Sequence, residues 1–286
     1  MDAIERLQRT RKSVSRSLRA LLVGAVVAAA VVAVAPATGT NATKIGTSIC
    51  SGPAVAAVDA GQKAVEEVAV DLSASTTGSA LRSLYTTAAR AIVARAVTES
   101  ALLRVVPFGP SGVGAQPVFQ ASFAATGDDE LFNLATSNRS RCLAQQQIAT
   151  LTVFNGAGRD RGTDVAGMLR SLIENARSVT TDGARMTVTI MTDGCQAPAA
   201  TGLNRELTDV CGKLAAGKTI DAILAAHKVE FSLPDASGVT VVMRGVGVGR
   251  RPAAASTRLA ATLIEFWMTV CRRAHAKACL VGSDLP

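Results

Sequence analysis

Hydrophobic and polar positions divide the chain into short apolar runs and helically spaced stripes, which alternate from about residue 65 onward. Val65–Leu72 (VEEVAVDL) is a short apolar run ending in an Asp and a Ser/Thr cluster, and it predicts a buried strand. Leu81, Leu84, Tyr85, Ala88 and Ile92 recur at helical spacing, with Arg82, Arg90 and Arg95 elsewhere on the cylinder. Leu102–Phe108 (LLRVVPF) predicts a second strand, stopped by Pro107 and a Gly-Pro-Ser-Gly turn. Val118–Ala124 alternates and predicts a third strand, at an edge. Residues 128–147 are helical in part, and Gln147–Phe154 fits either a helix or a strand.

The pattern sharpens after Gly162. Val165, Leu169, Leu172, Ile173 and Ala176 form one helical stripe. Met186–Thr192 is a β-branched run closed by Asp-Gly, and Val239–Arg244 is another strand. Between them lies a long connection, 195–237, with helix signals near 203–212 and 218–227. Leu259, Leu263, Phe266, Trp267, Val270 and Ala274 make a last amphipathic helix with Ser256 as its N-cap. Strands alternating with helices imply right-handed crossovers, so the expectation is an α/β fold: a doubly wound, mostly parallel sheet with helices on both faces. In such sheets ligands sit beyond the C-terminal strand ends, where the strand order reverses. Asp71, Ser73 and Ser75 follow one strand and Asp193 follows another. Thr163 opens a helix after a Gly-rich loop.

The N-terminus carries a different pattern. Ala20–Ala35 has no charge, and residues 1–19 hold six basic side chains against Asp2 and Glu5, half of the chain's net charge of +8. That is the layout of a signal peptide or of a signal anchor with its basic end in the cytoplasm. The run is long for a signal core, and Pro36 disfavours cleavage after Ala35, which favours a retained single-pass anchor over secretion. Either outcome places the rest outside the cytoplasm. The expected divisions are a basic region 1–19, an apolar segment 20–37, a Thr/Gly/Ser-rich spacer 38–61 and a globular domain 62–280. The remaining charge is spread thinly, without basic runs interleaved with aromatics, so nucleic acid is not an expected partner. With 3% aromatics the core must be built from Ala, Val, Leu and Ile.

Six cysteines, Cys50, Cys142, Cys195, Cys211, Cys271 and Cys279, all follow the leader, which suits disulfides in an oxidising compartment. Cys195 with Cys211 is the first expected pair, since they bracket one excursion. Cys271 can reach Cys279 only if the last helix breaks between them.

The segment Val68–Thr76, VAVDLSAST, holds Asp-x-Ser-x-Ser at the end of an apolar strand. A second element is Gly162-Thr163-Asp164-Val165-Ala166-Gly167-Met168-Leu169, and a third is Thr192-Asp193-Gly194, about thirty residues on. In this order the three resemble the von Willebrand factor type A family and its metal-ion-dependent adhesion site, over about residues 65–275. The resemblance implies a Rossmann-like sheet and a divalent cation, Mg²⁺ or else Mn²⁺ or Ca²⁺. It implies that Ser73, Ser75 and Thr163 touch the cation, while Asp71 and Asp193 act through water or by orienting those hydroxyls. It further implies a protein partner that offers an acidic residue. The chemistry is coherent on its own terms. Hard cations take oxygen ligands, and few charged ligands leave the ion electropositive enough to capture a carboxylate at an open position.

Taken singly, each residue is as readily a helix cap or turn residue; the order and spacing together point to a site. The chain therefore reads as a membrane-anchored binding module and not an enzyme, with two alternatives: an envelope subunit whose metal site is inactive, or a metal-dependent hydrolase. Other features carry less. Gly245-Val-Gly-Val-Gly249 lacks full phosphate-loop spacing, so turn packing is expected there. Gly109–Gly114 lacks the Lys-Ser/Thr of a Walker loop. Asp128-Asp129-Glu130 reads as an acidic helix start. His227 and His275 support no triad.

Overall fold

The computed structural model describes residues 55–56, 60–76, 79–109, 116–124, 130–154, 162–196, 208–248 and 253–283. The predicted apolar segment 20–37 and Cys50 lie outside them. No helix among the described residues is long and apolar enough to cross a membrane.

The elements run β1 (Gln62–Asp71), a 3₁₀ turn (Ala74–Thr76), α1 (Ser79–Thr98), β2 (Leu102–Phe108), β3 (Phe119–Ser122), α2 (Glu130–Phe154), α3 (Val165–Val179), β4 (Thr180–Met191), α4 (Val210–Ala215), α5 (Ile220–Ala226), β5 (Val239–Arg244), α6 (Ala253–Arg273) and β6 (Ala278–Gly282). They form a mixed α/β fold around one six-stranded sheet, ordered β3-β2-β1-β4-β5-β6. Every neighbouring pair is parallel except β2 with β3. The expected edge strand is therefore β3, shorter than the alternating run that predicted it.

β1 is central, and Ala64–Asp71 is buried along its whole length. Strand alternation sends Val65 and Ala69 into a core shared with α3, α4, α5 and α6. Ala64, Val68 and Val70 enter a second core on the opposite face, under α1 and α2. Pro107 sits inside β2 without harm. Val118 N donates to the Val105 carbonyl, so odd-numbered residues of β2 turn their backbone toward β3. The β2–β3 ladder ends at the Val105–Phe119 pair, and Pro107 has no strand partner there to disappoint.

Four expectations are revised. Residues 147–154 are helix: Leu143, Ala144 and Ile148 continue the buried stripe of α2. β4 begins six residues before its apolar core, because Thr180 pairs with Gln62 before a bulge brings Arg185 opposite Ala64. Its first half is polar and partly exposed, so no alternation announces it. Ser256 is not the cap of α6. The helix starts at Ala253, where three consecutive alanines follow Pro252 and favour earlier initiation. Finally, a last strand that the pattern did not predict, β6, follows the final helix over Ala278–Gly282.

That last strand also answers the question of the cysteines. α6 ends at Arg273, His275 adopts φ +56°, and the chain returns so that Cys271 and Cys279 are disulfide-bonded with Cα atoms 6.1 Å apart. Cys195 and Cys211 are also bonded, at 5.3 Å between Cα atoms. Cys142 is disulfide-bonded as well.

Candidate metal centre

β1 and β4 are neighbours at the middle of the sheet, and the chain leaves them toward opposite edges. Their C-terminal ends therefore form the crevice where a doubly wound sheet takes ligands. Asp71 is the last residue of β1, and Asp193 lies two residues beyond β4.

The turn after β1 is built by its own polar side chains. Asp71 Oδ1 accepts Ser73 N at 2.8 Å, and Thr76 Oγ1 donates to the carbonyls of Asp71 and Ser73 at 3.0 and 2.8 Å. These bonds curl Ala74–Thr76 into the 3₁₀ turn and bring Ser73 Oγ to 3.0 Å from Ser75 Oγ. The two hydroxyls are hydrogen-bonded to one another, at a separation also close to the ~3.0 Å between two oxygens at right angles around a cation with bonds of about 2.1 Å.

Asp71 is tied to β4 by its other oxygen, which accepts Thr192 Oγ1 at 2.7 Å. The same hydroxyl accepts Gly194 N at 3.0 Å. Asp193 Oδ1 accepts Cys195 N at 2.9 Å, and its carbonyl accepts Gly247 N at 2.9 Å. Gly194 turns the chain at φ +79°, and Trp267 Nε1 holds its carbonyl at 2.9 Å. The Gly245–Gly247 segment is a packing turn, as expected. A Cβ on Gly245 would press on Leu81 and the Thr192 carbonyl, and one on Gly247 would collide with Ala260.

Thr163 reaches the same rim by backbone pairing. Asp164 N donates to the Gly109 carbonyl, and Leu72 N donates to the adjacent Phe108 carbonyl. The Gly162–Asp164 segment and the residue after Asp71 thus dock on consecutive residues at the end of β2. Asp164 caps α3 by accepting Gly167 N at 2.8 Å. The capping work falls to Asp164, and Thr163 stays outside the helix, buried.

Burial, and then the negative charge of Asp193, push the Asp71 carboxyl up to about 7. Its own burial and then both aspartates raise Tyr85, whose buried hydroxyl has no hydrogen-bond partner among the described residues. Two carboxylates that repel one another in a dry crevice are what a divalent cation would relieve. Among the described residues no three His, Cys, Asp or Glu side chains cluster as a metal site. The side chains these turns carry, two aspartates with serine and threonine hydroxyls, are oxygen donors of the kind a hard cation takes and not the kind zinc prefers.

Sequence reasoning passed over several residues. Thr192, part of the Thr-Asp-Gly signature, links the two carboxylate-bearing turns. Glu66 and Glu67 sit side by side in β1 and are fully buried on opposite faces. Arg95 of α1, read as lying off the core stripe, reaches Glu66 at 2.6 Å. Arg104 of β2 reaches Glu67 at 2.8 Å. Two adjacent acids inside an apolar strand were the available signal, since each needs a cation on its own face.

Those acids predict an inverted pH response. Burial raises Glu67 to about 7 in spite of Arg104, and raises Glu66 in spite of Arg95. A carboxyl whose folded pKa lies above its unfolded one stabilises the fold at low pH and loses that contribution as pH rises through the folded value. For Glu67 and Asp71 the window runs from about 4 to 7, and each contributes on the order of 3 kcal/mol. In EDTA, urea unfolding midpoints should fall between about pH 5 and pH 8. Mg²⁺ should shrink the fall by favouring the Asp71 carboxylate, and Glu67→Gln should shrink it independently. Midpoints that rise with pH in EDTA would contradict this account of the buried acids.

No protein-family model matches the chain, and no curated protein matches it. Among solved structures it is similar to the pilus adhesin SpaC from Lactobacillus rhamnosus GG, in its open conformation at 16% identity and TM-score 0.37, covering 79% of this chain and 29% of that one. A second form of the same adhesin gives 14% identity and TM-score 0.40 over the same shares. Proximal thread matrix protein 1 from the mussel byssus gives 15% identity and TM-score 0.33, covering 77% of this chain and 48% of that one. The chain thus spans less than half the length of each of these proteins.

Proposed function

We propose that this chain is an extracytoplasmic module of the von Willebrand factor type A kind, held to the membrane by residues 20–37, which binds Mg²⁺ or a similar divalent cation and through it an acidic group of a partner protein. Ser73, Ser75 and Thr163 would hold the cation through hydroxyls, with Asp71 and Asp193 orienting them or acting through water. The cation supplies an electropositive point to which a partner carboxylate binds. The observation that carries the reading is that Thr192, the neighbour of Asp193, donates to the Asp71 carboxylate across the switch point, beside two serine hydroxyls 3.0 Å apart. The disulfides support the extracytoplasmic placement.

The reading is one of binding and not of turnover. Hydroxyl ligands give a cation little with which to activate water. The test is selection of displayed peptides on the immobilised full-length chain in Mg²⁺. Clones released by EDTA should each lose binding when one Asp or Glu is replaced by Asn or Gln. Clones indifferent to EDTA and to their acids would overturn the reading in favour of a structural subunit.

A further inference from the structure

Two turns of the proposed cation site, the one ending in Thr163 and the one holding Asp193, come from segments that no strand ladder joins. Among the described residues, the side chain of Gln196 joins them. Gln196, three residues after Asp193 and fully buried, presents its Oε1 to the backbone amide of Ala166 at 2.8 Å, three residues after Thr163. That amide is one of the donors that a helix leaves unsatisfied at its N-terminus. The Gln196 Nε2 donates in turn to Glu230 Oε1. Glu230, itself buried, also accepts Thr208 N at 2.8 Å and Thr208 Oγ1 at 2.6 Å. Glu230 therefore grips both feet, Gln196 and Thr208, of the excursion that the Cys195–Cys211 disulfide closes, and the Gln196 carbonyl accepts Val210 N at 3.1 Å between them.

We infer that Gln196 and Glu230 are positioning residues for the proposed cation site: Glu230 fixes Gln196, and Gln196 sets the separation of the Thr163 and Asp193 turns. The inference rests on the metal-binding reading above. It also gives the 195–237 connection a task. Its disulfide, α5 and the Glu230 loop form a brace against which the Asp193 turn is held. Groups that orient metal-binding side chains without touching the ion change affinity by about 10- to 100-fold when removed.

The test uses Mn²⁺ alone as probe on the full chain, with hydrogen exchange of the Ala166 amide in EDTA as a second readout. Gln196→Ala and Gln196→Glu should each weaken Mn²⁺ binding about 10- to 100-fold and speed exchange at Ala166. The exchanged pair, Gln196→Glu with Glu230→Gln, keeps an acceptor toward Ala166 and a donor–acceptor contact between positions 196 and 230, and should restore both readouts in part, since the new amide nitrogen at 230 no longer accepts Thr208 N. Thr208→Ala removes one bond to Glu230, leaves Gln196 in place, and should weaken Mn²⁺ binding by less, which covers the case in which a Gln196 variant fails to fold. Wild type that takes up no Mn²⁺ sinks the metal reading and this inference together. Wild type that binds Mn²⁺ while Gln196→Glu binds it equally well, or an exchanged pair no better than Gln196→Glu, sinks this inference alone.

Discussion

Asp71→Asn is expected to abolish Mg²⁺ and Mn²⁺ binding while leaving the cation-free domain at least as stable as wild type near neutral pH. The carboxyl is fully buried, and Asp193 already repels its charge. Asparagine keeps the shape, its Oδ1 can accept Ser73 N, and its amide can donate to Thr192 Oγ1, which retains a lone pair for Gly194 N. What disappears is the negative charge that a cation needs and that the apo fold tolerates poorly. Affinity should fall by about 100-fold or more, the upper end for groups that orient ligands. Thermal melts of wild type should rise with added Mg²⁺ by mass action, and those of Asp71→Asn should not. A variant that unfolds outright would show that Asp71 is a structural keystone instead.

Trp267→Ala is expected to cost about 3–5 kcal/mol, the range for deleting a large aromatic from a packed core. Trp267 has no exposure and meets Phe231 and Phe266 edge to face, at 6.2 and 5.2 Å between centroids, in a protein with few aromatics. The loss should extend to the rim, because the indole holds the Gly194 carbonyl and Gly194 lies against its ring. Trp267→Phe separates the two effects. It keeps most of the buried ring, drops the hydrogen bond at a cost of about 1 kcal/mol, and should weaken Mn²⁺ binding beyond that modest loss of stability. Equal metal affinity in Trp267→Phe and wild type would remove α6 from any part in shaping the site.

The strands that were legible in the chain are those whose apolar runs are self-contained. β2 and β5 begin and end where their apolar runs do. The first half of β4 and all of β6 were not legible, because edge and bulged segments are defined by pairing with a neighbour and not by their own alternation. The same division holds at the proposed site. Asp71, Ser73, Ser75, Thr163 and Asp193 stand out in the sequence because they punctuate the ends of elements. Thr192, Gln196 and Glu230 do not, since the contact of Thr192 with Asp71 spans 121 residues and that of Gln196 with Glu230 spans 34. Glu66 and Glu67 were visible as letters but not as buried ion pairs, because their arginines arrive from α1 and from β2.

The most direct measurement is the anomalous signal of a crystal of this chain grown with Mn²⁺. One peak within about 2.0–2.4 Å of both Ser73 Oγ and Ser75 Oγ, with Thr163 at bonding or one-water distance, is the predicted result. A peak elsewhere, or none while Thr163 and Asp193 stand more than about 10 Å from the serine pair, far beyond coordination reach, would contradict it.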